Sequence, residues 1–287
     1  MSLPVRIRPA IVLFGDSITQ QGFGWTGAAA GWASLLARDY SRRADVLNRG
    51  FSGYSTRMAL DLLPGIFPGA GAGAGGRAPD VTRGEVLFAT VFFGANDAAL
   101  PGERQHVPPE EYARNLRLFV EHVRGSGTPG RTAPGEGEGE GEGGGGGGGG
   151  GGGCPASVPV ILFTPPPVDA DAWYAARGEP EDKERVNDRT NDNSRMYGDL
   201  VKEVGRETDC PVLDVFDLLG GNGPVEEFGK HLRDGLHLSE SGNVLAYEGL
   251  MDLIGRELPH LLPMTDGQGR YGKSGVALEE KLWGELC

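Results

Sequence analysis

Paired cysteines, positive charge and long apolar runs are all scarce in this sequence. Its three cysteines, Cys154, Cys210 and Cys287, are far apart and odd in number. With no export signal they read as reduced thiols in a reducing compartment. Lys and Arg number 27 against 40 Asp and Glu, a net charge of −13. The chain therefore lacks the electrostatic footprint that a nucleic-acid backbone or an anionic lipid surface requires. No stretch approaches the roughly 18–20 apolar residues of a membrane helix. Met1 to Pro9 carries Arg6 and Arg8 and has neither the apolar stretch nor the cleavage site of a signal peptide. The expectation is a cytoplasmic protein whose partners are neither nucleic acid nor membrane.

Glycine is abundant: 50 of 287 residues, or roughly 17%, against roughly 7% in ordinary proteins. There is no G-X-Y period, and the excess is concentrated in two places. Gly69–Pro79 reads GAGAGAGGRAP, and Gly125–Gly153 holds an EGEGEGE run followed by polyglycine. Glycine loses the most backbone entropy on ordering and buries no side chain in return. Both segments are expected to be mobile insertions within one domain spanning residues 1–263, followed by a polar tail over 264–287. Without them, on the order of 230 residues remain, enough for a single full core.

That remainder alternates short apolar runs with amphipathic stretches. Ala10–Phe14, Ala44–Leu47, Glu85–Phe93, Val158–Phe163 and Pro211–Val215 read as strands apolar on both faces. Trp32–Tyr40, Thr56–Leu63, Glu110–Arg124, Glu184–Glu207 and Asn243–Leu258 carry helical spacing; Leu116, Phe119, Val120 and Val123 follow i, i+3, i+4, i+7. Repeated strand–helix units predict a parallel sheet covered on both faces, with ligands beyond the carboxyl ends of the strands.

At those ends, or in a loop running back to that edge, stand four blocks: Gly15-Asp16-Ser17, Asn48 to Ser55 around Gly53, Gly94-Ala95-Asn96-Asp97, and Asp234-Gly235-Leu236-His237. Gly-Asp-Ser alone marks nothing, because these residues form turns everywhere. The four blocks together suit nucleophilic acyl transfer. A serine hydroxyl needs a base to take its proton. His237 is the candidate base for Ser17, and Asp234, three residues earlier on a tight turn, can hold its other ring nitrogen. The resulting oxyanion needs donors, and Ser17 N–H, Gly53 N–H and the Asn96 side-chain amide are the available set. Asp16 and Asp97 read as braces for their loops.

These blocks resemble the SGNH, or GDSL-type, hydrolases. The stretches FGDSITQ, ADVLNRGFSGYSTRMAL, FFGANDAALP, QHVPPEEYARNL, TPPPVD and DGLHLSESGN look like the isoamyl acetate-hydrolysing esterase branch, over roughly residues 8–124 and 158–258. The resemblance implies a flavodoxin-like three-layer α/β/α sandwich with a mainly parallel five-stranded sheet. It implies a serine esterase acting on small-molecule esters of short-chain acids, with Ser17, His237 and Asp234 catalytic, Gly53 and Asn96 completing the oxyanion hole, and no cofactor. Lysophospholipase, thioesterase and carbohydrate deacetylase activities are alternatives on the same fold. Oligomeric state is left open, a homodimer included.

Pro166 and Trp173 are candidates for lining the substrate pocket. The polar run Asp188–Met196 departs from the family pattern on one side of the pocket and leaves the assignment of the catalytic positions untouched. No histidine or cysteine spacing implies a metal. Gly267 to Ser274 satisfies a phosphate-loop pattern, but Pro259 and Pro263 make the preceding segment a poor central strand, so it reads as a chance match.

Overall fold

In a computed structural model of the chain, the residues described are 8–25, 30–67, 86–126, 157–178 and 187–263. The insertion at 69–79, the segment 127–153, the tail from 264 and the Gly267–Ser274 pattern lie outside them.

Five strands form one sheet in the order β2-β1-β3-β4-β5, and every pairing is parallel. They are β1 (Ala10–Gly15), β2 (Asp45–Gly50), β3 (Val86–Phe92), β4 (Val160–Phe163) and β5 (Val212–Leu213). Alternate side chains of the central strands enter two separate cores, as a period of two demands. Ile11, Leu13, Phe88, Phe92, Ile161 and Phe163 pack on one face with Trp32, Leu36, Leu250 and Ile254. Val12, Phe14, Ala89, Val91, Val160 and Leu162 pack on the other with Leu116, Phe119, Val123 and Val201. The first face is covered by α2 (Trp32–Tyr40) and α10 (Glu240–Glu257), the second by α5 (Pro109–Ser126) and α7 (Asn191–Thr208). This is the expected α/β/α sandwich.

Shorter helices fill the connections: α1 (Ser17–Gln20), α3 (Thr56–Ala59), α4 (Leu63–Ile66), α6 (Ala170–Ala176), α8 (Val215–Leu218) and α9 (Val225–Phe228). No helix among the described residues is long and apolar enough to cross a membrane.

Several boundaries differ from the sequence expectation: β2 runs on past Leu47 to Gly50, and α10 starts at Glu240, where Ser239 caps it, rather than at Asn243. The helix predicted over Thr56–Leu63 is broken by a 3-10 turn at Leu60–Leu62, because Pro64 has no N–H for the carbonyl four residues back. The helix predicted from Glu184 begins at Asn191, where the Thr190 side chain accepts from Asn193 N at 3.1 Å and caps it. Strand β5 stops at Leu213 because Asp214 caps α8 by accepting from Asp217 N at 3.1 Å. Gly125 belongs to α5 rather than to the insertion.

Candidate active site

The carboxyl edge of the sheet gathers the four blocks. Gly15, at the end of β1, pairs with Gly50 of β2 and with Phe92 of β3. The chains leaving those three positions therefore begin side by side. Gly15 O accepts from Phe51 N at 2.8 Å, and Phe92 O from Asp16 N at 3.3 Å, which fixes the exits.

Ser17 is the first residue of α1, a turn started by Asp16, whose Oδ1 accepts from Ile18 N at 2.9 Å. Its Oγ lies 2.9 Å from His237 Nε2, across 220 positions of sequence. His237 Nδ1 lies 2.8 Å from Asp234 Oδ2. A carboxylate only accepts, so Nδ1 carries the proton and Nε2 is left as acceptor for the serine hydroxyl. Asp234 is held in turn by the backbone: its Oδ1 accepts from Leu236 N at 3.1 Å and from His237 N at 2.8 Å. Partial burial alone would push the Asp234 carboxyl up. Hydrogen bonds from the His237 ring and backbone and from Arg233 outweigh it and hold the group well below the usual carboxylate range. The turn that carries Asp234 and His237 leans on α6, since Gly235 O accepts from Asp169 N at 2.9 Å.

The donors sit opposite. Asn96 Nδ2 donates one hydrogen to Tyr54 O at 2.9 Å, which leaves its second hydrogen available. Gly53 has φ +79, a left-handed conformation that glycine adopts without strain. Among the described residues the Ser17 and Gly53 N–H groups have no acceptor. Such a set can receive a negative oxygen while His237 takes the proton of Ser17.

Asp16 and Asp97 brace this edge from beneath. Asp97 Oδ1 accepts from Thr56 N at 2.9 Å and from Thr56 Oγ1 at 2.5 Å. Burial pushes both carboxyls up to about 7, Asp16 against the Ile18 hydrogen bond and Asp97 against those from Thr56. Of the two pocket candidates, Trp173 lies against the site, its ring centroid 5.9 Å from that of His237. Pro166 is buried, its carbonyl accepting from Ser194 Oγ at 2.6 Å, and so presents little surface to a substrate.

The polar run lines one side of the site, and its hydrogen bonds go to neighbours of the catalytic residues rather than to Ser17, Asp234 or His237. Trp173 Nε1 donates to Asp188 Oδ1 at 3.0 Å, and Arg177, whose guanidinium lies 5.2 Å over the Trp173 ring, donates to Asp188 Oδ2 at 2.8 Å. Arg189 is buried and donates to Ala95 O at 2.9 Å and to Gln105 Oε1 at 2.8 Å. Gln105 Nε2 then donates to Gly53 O at 2.8 Å and to Asn96 Oδ1 at 3.0 Å. Sequence reasoning passed over Gln105, Asp188 and Arg189. The available signal was a cluster of polar residues at the start of a helix that otherwise buries an apolar stripe.

A parallel α/β/α sheet with a serine, a histidine and an aspartate hydrogen-bonded in series at its carboxyl edge defines a class, the α/β hydrolytic enzymes with a serine-centred site. Within it the chain belongs to the GDSL-like lipase/acylhydrolase family, whose model matches residues 13–245. It is 36% identical over 265 residues to the isoamyl acetate-hydrolyzing esterase 1 homolog of Mus musculus, covering 89% of this chain and 86% of the relative. It is 35% identical over 247 residues to a GDSL esterase/lipase of Arabidopsis thaliana, covering 84% of each. A lipase/acylhydrolase from Enterococcus faecalis shares the fold with a TM-score of 0.55 at 23% identity, over 90% of this chain and 99% of that one. The protein is a carboxylic ester hydrolase. The family match ends before Gly267, and these relatives give no support to a nucleotide site there.

Proposed function

We propose that this hydrolase cleaves small esters of short-chain, acetate-type acids through an acyl-serine intermediate. The observation that carries the mechanism is the hydrogen-bond series from Ser17 Oγ through His237 to Asp234. Ser17 Oγ attacks the ester carbonyl carbon as its proton passes to His237 Nε2. The carbonyl oxygen becomes an oxyanion facing the Ser17 and Gly53 N–H groups and the free Asn96 amide hydrogen. Collapse breaks the bond to the alcohol oxygen, which takes the proton from His237. Water then enters, gives its proton to His237 and attacks the acyl group, releasing the acid and restoring Ser17. The ionised Asp234 stabilises the imidazolium at both stages.

The acetate preference rests on the relatives named for isoamyl acetate hydrolysis. A single domain over residues 1–263 and a cytoplasmic setting belong to the same reading, the latter supported by the free, buried thiol of Cys210.

The test compares wild type with Ser17→Ala on p-nitrophenyl esters from acetate to palmitate. Wild type is expected to turn over acetate and butyrate fastest, with Ser17→Ala inert. Equal turnover by both proteins would sink the mechanism. A preference for palmitate would replace the short-chain assignment.

A further inference from the structure

We propose that Gln105, anchored by Arg189, is a positioning residue that sets the polarity of the oxyanion site. The proposal rests on the reading of Ser17 as nucleophile.

Donors and acceptors decide how each amide here is turned. A guanidinium can only donate. Arg189 is only 1% exposed at its side chain, and its Nη2 donates to Gln105 Oε1 at 2.8 Å while its Nε is fixed on Ala95 O at 2.9 Å. That contact decides which way round the Gln105 amide sits, so its nitrogen faces the opposite direction. Gln105 Nε2 spends both hydrogens there, on Gly53 O and on Asn96 Oδ1. An Asn96 amide whose oxygen is occupied has its nitrogen directed to Tyr54 O, with the remaining hydrogen left over. Each amide in the series is thus oriented by the group before it. The same Gln105 contact holds the Gly53 carbonyl, and with it the turn whose Gly53 N–H is the second donor. Gln105 touches neither the serine nor the histidine, so its effect on the reaction passes through Gly53 and Asn96.

Replacing Gln105 with glutamate keeps shape and volume but reverses the logic. A carboxylate still accepts from Arg189, yet it offers only acceptors to Gly53 O and Asn96 Oδ1. Asn96 is then frustrated in either orientation: unturned, its oxygen faces the carboxylate at 105; turned, it loses its bond to Tyr54 O and points its oxygen at the place where the oxyanion forms. Gln105→Met keeps the volume and simply removes the hydrogen bonds.

The experiment measures kcat and KM on p-nitrophenyl acetate for wild type, Gln105→Met and Gln105→Glu, with thermal melts as a fold check. It also measures inhibition by a trifluoromethyl ketone, whose adduct with Ser17 carries the same oxyanion. Losing one donor outright costs about 10²–10³-fold in kcat. Gln105→Glu is expected to fall in that range and Gln105→Met by about 10-fold, with KM within about twofold and ketone affinity falling in step with kcat. A role in packing alone would leave both variants near wild type. The proposal is overturned if Gln105→Glu is as active as Gln105→Met, or if the losses appear in KM. Should Gln105→Glu fail to fold, Gln105→Met decides, and a kcat within about twofold of wild type overturns the proposal. Turnover by Ser17→Ala would instead remove the nucleophile on which it stands, while an inert Ser17→Ala beside a normal Gln105→Glu defeats this inference alone.

Discussion

Trp173 Nε1 donates to Asp188 Oδ1 across 3.0 Å, and the ring it belongs to stands edge-on to His237. Asp188 is followed directly by Arg189, whose guanidinium reaches the opposite wall through Gln105. One dipeptide therefore ties the wall beside the base to the wall that carries the donors. Both residues are buried, with Arg189 Nη1 3.1 Å from Asp188 Oδ2. A buried charge left without its partner is costly, so Asp188 and Arg189 depend on each other as well as on the two walls they reach.

Asp234→Asn tests the tautomer. Leu236 N and His237 N would still find an oxygen, so the turn is expected to keep its shape. The asparagine nitrogen, however, would present a hydrogen to His237 Nδ1 and drive the ring proton onto Nε2, facing Ser17. A loss of about 10⁴-fold in kcat is expected, with the melting temperature little changed. Assay on p-nitrophenyl acetate together with a thermal melt checks it; a loss smaller than about tenfold would mean that Asp234 does not set the ring's tautomer.

Gly235, the residue after Asp234 in the turn that leads to His237, sits at φ +87. A Cβ there would lie 2.4 Å from Asp169 O and 2.4 Å from Trp173 N, both backbone atoms of α6 or its cap. Gly235→Ala thus combines left-handed strain with a clash that no side-chain rotation relieves. It is expected to destabilise the fold by about 2–4 kcal/mol and to lower kcat, because the displaced turn carries both Asp234 and His237. Urea unfolding alongside kinetics would show this, and a variant with wild-type stability and turnover would contradict it.

The buried pair Asp16 and Asp97 makes stability depend on pH in a direction opposite to that of Asp234. Each carboxyl is raised to about 7 in the folded chain, against about 3.9 when unfolded. Between those values the folded chain binds more protons than the unfolded one, so stability falls as pH rises through the window and levels off above it. Asp234, depressed on folding, contributes stability that is present above the unfolded value and lost only as the pH falls below it. Asp97→Asn keeps an oxygen for Thr56 and removes one titration. Its unfolding free energy is expected to change between pH 5 and pH 8 by at least about 1 kcal/mol less than that of wild type. Parallel curves from urea titrations at pH 5, 6, 7 and 8 would exclude the assignment.

Much of the framework was legible because it is periodic or local. The central strands β1, β3 and β4 are short, apolar on both faces and separated by helical spacing, which is what burial between two helix layers requires. The edge strand β2 is instead half-buried and carries Asn48 and Arg49. Three of the four blocks stood out because each follows a strand directly; the fourth, Asp234 to His237, lies beyond α8 and α9 in the chain that returns to the same edge. Boundaries were read less well where a single side chain decides them, as at Thr190, Asp214 and Pro64. Pro166 and Trp173 looked equivalent in sequence, yet one is buried and tied to Ser194 while the other faces His237.

By itself, the sequence determined the strand order in the chain, the α/β alternation and the residues that can act as nucleophile, base and donors. Those features depend on side-chain chemistry and on spacings of a few residues. Only the tertiary structure decided that Arg189, Gln105, Asn96 and Gly53 form one directed series, and that Asp188 holds Trp173 beside His237. Arg189 and Gln105 are 84 positions apart, and Ser17 and His237 are 220 apart. Contacts at that range leave no period in the chain. They arise because a parallel sheet delivers the ends of its strands to one edge, where buried polar groups must find one another or go unpaired.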